Sequence, residues 1–292
     1  MFLALSLQGG GIVALKRGDQ ALMIPALTPP FLANFIMAPF CSRITAGRFN
    51  YSGRTVQLAQ NFPPEPHAIH GFGWQSLWRL EHLERNACTL VYEHDLGAAA
   101  STGWPWAFTA RQDFVLSDTA LTQSVSIINV SDECMPVGAG FHPYFPLTTA
   151  SEVSMLCQGE LVLDADGLPS VASASDPSSK LAGKDDFQVN PMASRPWLER
   201  GLDKVYLWRQ GSAQICWPDQ PWSLIIEPDS SLLHWVVYAP KNAGFICIEP
   251  ISHTPDALNL FGARHGGAGG MASLAPGDHW STSTRFVTSG NC

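Results

Sequence analysis

Residues 121–129, LTQSVSIIN, set Leu121, Gln123, Val125 and Ile127 against Thr122, Ser124 and Ser126. Successive side chains of a strand point to opposite faces, so this period of two describes a strand buried on one side. The preceding run, AFTARQDFVLSD (107–118), closes on the turn-forming pair Ser117-Asp118, and the two are expected to form a hairpin. Similar short runs lie at 88–93, 153–157, 205–209, 213–217, 223–227, 233–238, 244–249 and 282–288. Few stretches carry an apolar stripe at helical spacing over ten residues, and 22 Pro and 25 Gly break the chain throughout. The expectation is an all-β fold, a large antiparallel β-sandwich rather than a barrel of alternating strands and helices.

The chain can bury a core of that size, since 46% of its 292 residues are hydrophobic and only 14% charged. No composition shift or linker divides it, so residues 1–292 are expected to form one domain. The softest stretch, 164–200, is rich in Ser, Asp, Ala and Pro and reads as a long loop; GGAGG (266–270) reads as a second. A net charge of −8 with scattered Lys and Arg argues against nucleic acid as a partner. No window approaches the roughly 18 consecutive apolar residues that span a bilayer. The opening MFLALSLQGG has neither a charged n-region nor a cleavage site, so no signal peptide is read. Seven Cys without CxxC or zinc spacing suggest reduced thiols, and the expected compartment is the cytoplasm.

Chemistry-bearing residues gather in a few stretches. FICIEPISHTPDAL (245–258) places a single acid, Glu249, inside an apolar run, where an unpartnered charge is costly. GAGFHPYFPL (138–147) holds His142 between an apolar strand and a rigid Pro. HAIHGFGWQSLW (67–78) carries His70 before a Gly, and PFCSRITAGRF (39–49) carries Arg43 between Cys41 and Ile44. A buried Arg there must find an acid or a ligand oxygen. In GLDKVYLW (201–208), Asp203 precedes an apolar strand. Taken singly, each fits an ordinary structural role. QGGGIVAL (8–15) lacks the GK[ST] of a phosphate loop and reads as a strand turn, and His253 and His265 have no metal-ligand companion at a convincing spacing.

In order, these stretches resemble the aldose 1-epimerase (galactose mutarotase-like) family over nearly the whole chain. PFCSRITAGRFNYSG is similar to its early Arg motif, HAIHGFGWQSLW to its first His motif and GAGFHPYFPL to its His-Pro-Tyr-Phe motif. LDKVYLW resembles its Asp motif, CIEPISHTPDALN its Glu motif and MASLAPGDHWSTSTRF its terminal strands. The resemblance implies a galactose mutarotase-like supersandwich with an open sugar cleft and no metal or organic cofactor. It implies Glu249 as general base and His142 as general acid, with Arg43, His70 and Asp203 binding the sugar. Two departures concern the cleft walls. Phe72 stands where galactose mutarotases commonly have a second Gly after the His, and Phe-His-Pro-Tyr-Phe-Pro replaces their Asn-His-Ser-Tyr-Phe-Asn. The chain looks more like a little-characterised bacterial branch, and it lacks the Trp-Pro-rich motif associated with hexose-6-phosphate epimerases.

The implied chemistry suits these residues. Exchanging α and β anomers of a free aldose requires a proton to leave O1 while another reaches the ring oxygen O5, so two proton carriers must face adjacent oxygens. An ionised Glu249 and a protonated His142 supply them, with ordinary pKa values of about 4.3 and 6.5. Trp74, Trp78 and Trp106 are candidates for stacking on the sugar. A sugar-binding or sensing protein on the same fold is the alternative from another class. A glycosidase would need a second carboxylate, for which Asp203 is the candidate.

Overall fold

The alternating run 121–129 forms the strand Ala120–Asn129, with Leu121, Gln123, Val125 and Ile127 buried. It pairs with Phe108–Leu116 in continuous antiparallel register from Phe108 opposite Asn129 to Leu116 opposite Leu121. Ser117 closes this hairpin, its hydroxyl accepting from the Ala120 N–H at 2.9 Å. The computed structural model describes residues 1–25, 32–170, 187–189, 201–260 and 271–290.

Two large sheets dominate. The nine-stranded sheet runs, edge to edge, through 187–189, 152–157, 210–216, 223–228, 279–289, 120–129, 108–116, 87–94 and 79–83. The other runs through 159–161, 202–207, 234–239, 245–251, 140–141 and 36–37, with Tyr144–Pro146 also on 245–251. Antiparallel pairing throughout both matches the sandwich expected from the period of two. One core joins the sheets: Val237, Ile246 and Ile248 pack with Leu121, Ile127, Leu224 and Phe286. Phe145 and Phe286 meet across it, ring centroids 6.4 Å apart. Each fully buried side chain of this size contributes about 1.5–3 kcal/mol.

The inward positions of the hairpin include two amides, Gln112 and Gln123, both wholly buried. They are satisfied in a chain. Asn34 Nδ2 donates to Gln123 Oε1, Gln123 Nε2 to Gln112 Oε1, and Gln112 Nε2 to the Gly10 carbonyl, each at 2.8 Å. The relay ties the QGGG turn to the nine-stranded sheet. As expected of a strand turn, that segment leads straight into the strand Ile12–Arg17.

Three local readings need correction. The stretch 164–200 is not loop throughout: Phe187–Val189 forms an edge strand on Met155–Cys157. Its other residues from 171 onward lie outside the described residues, as do GGAGG and His265. The strand read at 205–209 begins earlier and ends at Leu207. A short helix, Leu96–Thr102, has no apolar stripe to announce it; it follows from good helix formers between caps. The Asp95 carboxylate accepts from the Ala98 N–H at 2.8 Å, and Gly103 ends the helix in the left-handed region. Among the described residues, no helix is long and apolar enough to cross a membrane.

Candidate active site

The register of three neighbouring strands lays out the floor of the site. Asp203 lies opposite Tyr238, and Tyr238 opposite Cys247; one pleat away, Val205 lies opposite Val236 and Val236 opposite Glu249. Alternation sends Ile246 and Ile248 into the sandwich core, so Cys247 and Glu249 must face the other way. A second apolar layer, including Phe35, Trp74, Val205 and Val236, covers this outer face. Glu249 is consequently only 2% exposed although it points away from the main core.

His142 reaches Glu249 because the chain bends at His142-Pro143 between two segments held on the same strand. Gly140 pairs with Ile251 before the bend, and Tyr144–Pro146 pair with Phe245–Cys247 after it. The His142 ring stacks on both Phe35 and Tyr144, centroids 4.6 and 4.7 Å away and each plane tilted by 22°, and those two rings lie 6.4 Å from one another. These two stacking contacts hold the ring plane. Its Nε2 lies 3.3 Å from Glu249 Oε1.

Burial dominates the protonation of both groups. It pushes the Glu249 carboxyl well above its usual range; nearby Asp203 adds to this and Arg43 opposes it. It also lowers the His142 imidazole from 6.5 to about 3. Both shifts favour the uncharged form of the pair, a carboxyl beside a neutral imidazole. This differs from the charged pair expected from ordinary pKa values, but the proton count is the same. Glu–COOH with neutral His and Glu–COO⁻ with HisH⁺ each hold one proton, and moving it across 3.3 Å interconverts them.

The other expected residues come to the same cleft. His70 lies 5.2 Å from His142, centroid to centroid, with the rings perpendicular. Its Nδ1 accepts from the Ser42 N–H at 3.2 Å, and burial, with His142 and Arg43 nearby, holds the ring neutral. The ring proton must then sit on Nε2. His70 (φ 61°) and Ser42 (φ 56°) both occupy the left-handed region, a strain that persists only where surrounding contacts over-determine it. Here Asn61 does so: it accepts from the Ile69 N–H and donates to the carbonyls of Ile69 and Gly71. Asp203 stands at the cleft with its carboxyl raised by burial, a shift Arg43 partly reverses.

Arg43 finds its acid, as a partly buried Arg must, but the partner is Glu65, 3.0 Å from Nε. The stretch following Glu249 explains how this segment is anchored. The Asp256 carboxylate accepts from the Thr45 N–H and hydroxyl, and the Arg43 carbonyl accepts from the Asp256 N–H. His253 accepts from the Cys41 N–H at 3.0 Å, a structural role.

The cleft has a volume of about 580 Å³, within the range of small-molecule sites, and Arg43, His70, His142, Asp203 and Glu249 all line it. Its walls are aromatic: Phe35, Trp74, Tyr144, Tyr238 and Phe245. Of the three Trp candidates only Trp74 is present. Trp78 is buried with its indole N–H on the Gly73 carbonyl, and Trp106 lies buried beneath Arg54, so neither can stack on a ligand here. Sequence reasoning missed Glu65, Phe35 and Asp256. Only Glu65 carried a signal, as a lone acid between prolines in PPEPH.

Among the described residues, His142, Cys247 and Glu249 bring potential metal-ligand atoms within 4.8 Å of one another. Burial, with Glu249 and Asp203 nearby, holds the Cys247 thiol protonated. An ion there would have to displace that proton and would occupy both members of the carboxyl–imidazole pair. The chemistry open to the pair itself is proton transfer, since Nε2 and Oε1 are each able to carry a proton and lie 3.3 Å apart.

Comparison with known proteins places the chain and its fold. The family described as aldose 1-epimerase matches residues 2–287. The uncharacterised protein YphB of Escherichia coli K12 is 29% identical over 283 residues, covering 93% of this chain and 90% of that protein. A crystal structure from Escherichia coli K12 shares the fold with a TM-score of 0.82 at 24% identity, covering 99% of this chain and 95% of that one. A galactose mutarotase-like protein from Clostridium acetobutylicum does so with a TM-score of 0.78 at 17% identity, over 97% and 90% of the two chains.

Proposed function

The chain belongs to the aldose 1-epimerase family, and from that premise we propose that it interconverts the α and β anomers of a free aldose. The observation that carries the proposal is the His142–Glu249 pair, 3.3 Å apart in a cleft that also presents Arg43, His70, Asp203 and several aromatic rings. Anomer exchange needs two proton carriers facing adjacent oxygens and no redox or group-transfer partner.

In the proposed cycle, sugar hydroxyls and Arg43 stabilise the charged form of the pair, with the proton moved from Glu249 to His142. Glu249 then accepts the O1 proton as His142 donates to O5. The C1–O5 bond breaks with its electrons on O5, and C1 becomes an aldehyde carbon. Rotation about C1–C2 presents the other carbonyl face, and the same two protons return as O5 closes on C1. The pair ends in its starting state. In this cycle His70, with its proton on Nε2, and Arg43 donate hydrogen bonds to sugar oxygens, and Asp203 accepts from a hydroxyl. Each proton carrier contributes about 10²–10⁴-fold, enough to accelerate a reaction that water already performs slowly.

The test is polarimetry or exchange NMR on a panel of fresh free aldoses, with and without the protein. Faster exchange of at least one sugar supports the proposal. Binding without faster exchange supports the sugar-binding alternative.

A further inference from the structure

We propose that Glu65 determines which class of aldose enters the cleft, by neutralising Arg43 so that neutral sugars bind and anionic sugars are turned away. The inference rests on the sugar-binding reading of the cleft and adds to it a residue and a selectivity.

An Arg in a partly dehydrated cleft is by default a receptor for carboxylate or phosphate, because its planar fork matches either anion. Arg43 does not face the cleft as an uncompensated cation. Glu65 Oε2 holds its Nε at 3.0 Å, and both side chains are largely shielded from water, at 23% and 16% exposure. The other Glu65 oxygen accepts from the His67 N–H at 3.3 Å, so the carboxylate is braced from its own loop. A turn fixes the guanidinium from another side. Gly167 (φ +73°) lies so close that a Cβ there would come within 2.6 Å of Nη1 and 2.8 Å of Cζ. The turn itself is organised by Asp164, which accepts from the N–H groups of Asp166 and Leu168.

The charge balance follows. Among the described residues lining the cleft, Arg43 is the only Lys or Arg, and Glu65 and Asp203 stand against it; Glu249, which burial biases towards its uncharged form, adds little. A sugar carboxylate or phosphate approaching Arg43 would meet the fixed charge of Glu65 with Asp203 close by. Like charges so placed oppose binding by roughly 10²-fold or more. A hydroxyl incurs no such repulsion and can still accept from the terminal guanidinium nitrogens.

The experiment compares the binding of glucose and glucuronate, which differ in a single carboxylate, by saturation-transfer NMR titration at pH 7. Wild-type protein is expected to favour glucose by about 10²-fold. Glu65→Gln, nearly isosteric and uncharged, should narrow that preference at least tenfold, whereas Glu65→Asp, which keeps the charge, should largely retain it. Glu65→Ala provides the same reading if the Gln variant fails to fold. Glu160→Gln, which alters an ion pair with Lys204 outside the cleft lining, is the control and should leave the preference unchanged. A preference unaltered in both Glu65→Gln and Glu65→Ala, or no preference in wild type, overturns the inference. Binding of neither sugar by any form also overturns it. Selective binding without anomer exchange would defeat the epimerase proposal and leave this one standing.

Discussion

Gly71→Ala should be far more damaging than an alanine placed at another left-handed glycine, and the reason lies in the walls of the site. Gly71 (φ +65°) follows His70, and its Cβ position lies 2.0 Å from the Ala38 oxygen, 2.3 Å from the Ala38 carbon and 2.8 Å from the Pro39 nitrogen. These are backbone atoms, so no rotamer change relieves the collision. Gly53 (φ +80°) has nothing within 4 Å of the same position. Gly53→Ala should therefore cost only the left-handed penalty, about 1–2 kcal/mol. Gly71→Ala adds overpacking of about 1–3 kcal/mol and weakens the 2.8 Å bond from the Phe72 N–H to the Ala38 carbonyl, about 0.5–1.5 kcal/mol. The totals are about 2.5–6.5 against about 1–2 kcal/mol. For a chain of this size that amounts to a fall in Tm of roughly 6–15 °C against roughly 2–5 °C. Displacing this segment must also move His70, so the folded fraction of Gly71→Ala should exchange anomers more slowly, while Gly53→Ala keeps its rate. Thermal unfolding followed by circular dichroism, with exchange rates measured well below each Tm, tests both points. Equal losses of stability in the two variants would refute the packing argument.

Three further outcomes follow. Gln123→Leu strands Asn34 Nδ2 and Gln112 Oε1 in the core, and urea unfolding should show a loss of about 2–4 kcal/mol; a neutral substitution would mean the relay contributes nothing. Burial lowers His234 from 6.5 to about 3 and His253 to about 4, so the unfolded chain takes up these protons first. Their contribution is complete above pH 6.5 and is lost as pH falls towards 4, by about 3 kcal/mol each, so Tm should drop steeply over that range; a flat profile would contradict it. For exchange itself, the active pair holds one proton, bounded by the lowered His142 on the acid side and the raised Glu249 on the basic side. Activity should persist above pH 6.5, and a basic limb at 6.5 would show that burial does not control the pair.

The fold was legible because a period of two survives at single-residue resolution in runs such as Leu121–Ile127, and because prolines and glycines deny the alternatives. The helix Leu96–Thr102 was not, since LGAAAST owes its form to propensity and caps rather than to a stripe. Glu249, His142, His70, Arg43 and Asp203 were legible through their motifs, yet nothing in local sequence says that they converge; strand register and the bend at Pro143 do that. Phe35 and Asp256 escaped for the same reason, because a phenylalanine in an apolar run and an Asp in a turn acquire their roles only from distant partners. The shifts of the acid–base pair away from ordinary pKa values were not legible either, because burial depends on the second apolar layer and not on the residues themselves.

The central claim is that Glu249 and His142 act as one proton-carrying pair on a bound aldose. Two-dimensional exchange NMR on the sugar that the panel shows to turn over fastest, with Glu249→Gln and His142→Asn beside wild type, tests it most directly. Both variants should keep the fold and sugar binding, and each should lower the catalysed α-to-β exchange rate by about 10²–10⁴-fold. Near-wild-type exchange in either variant would contradict the account.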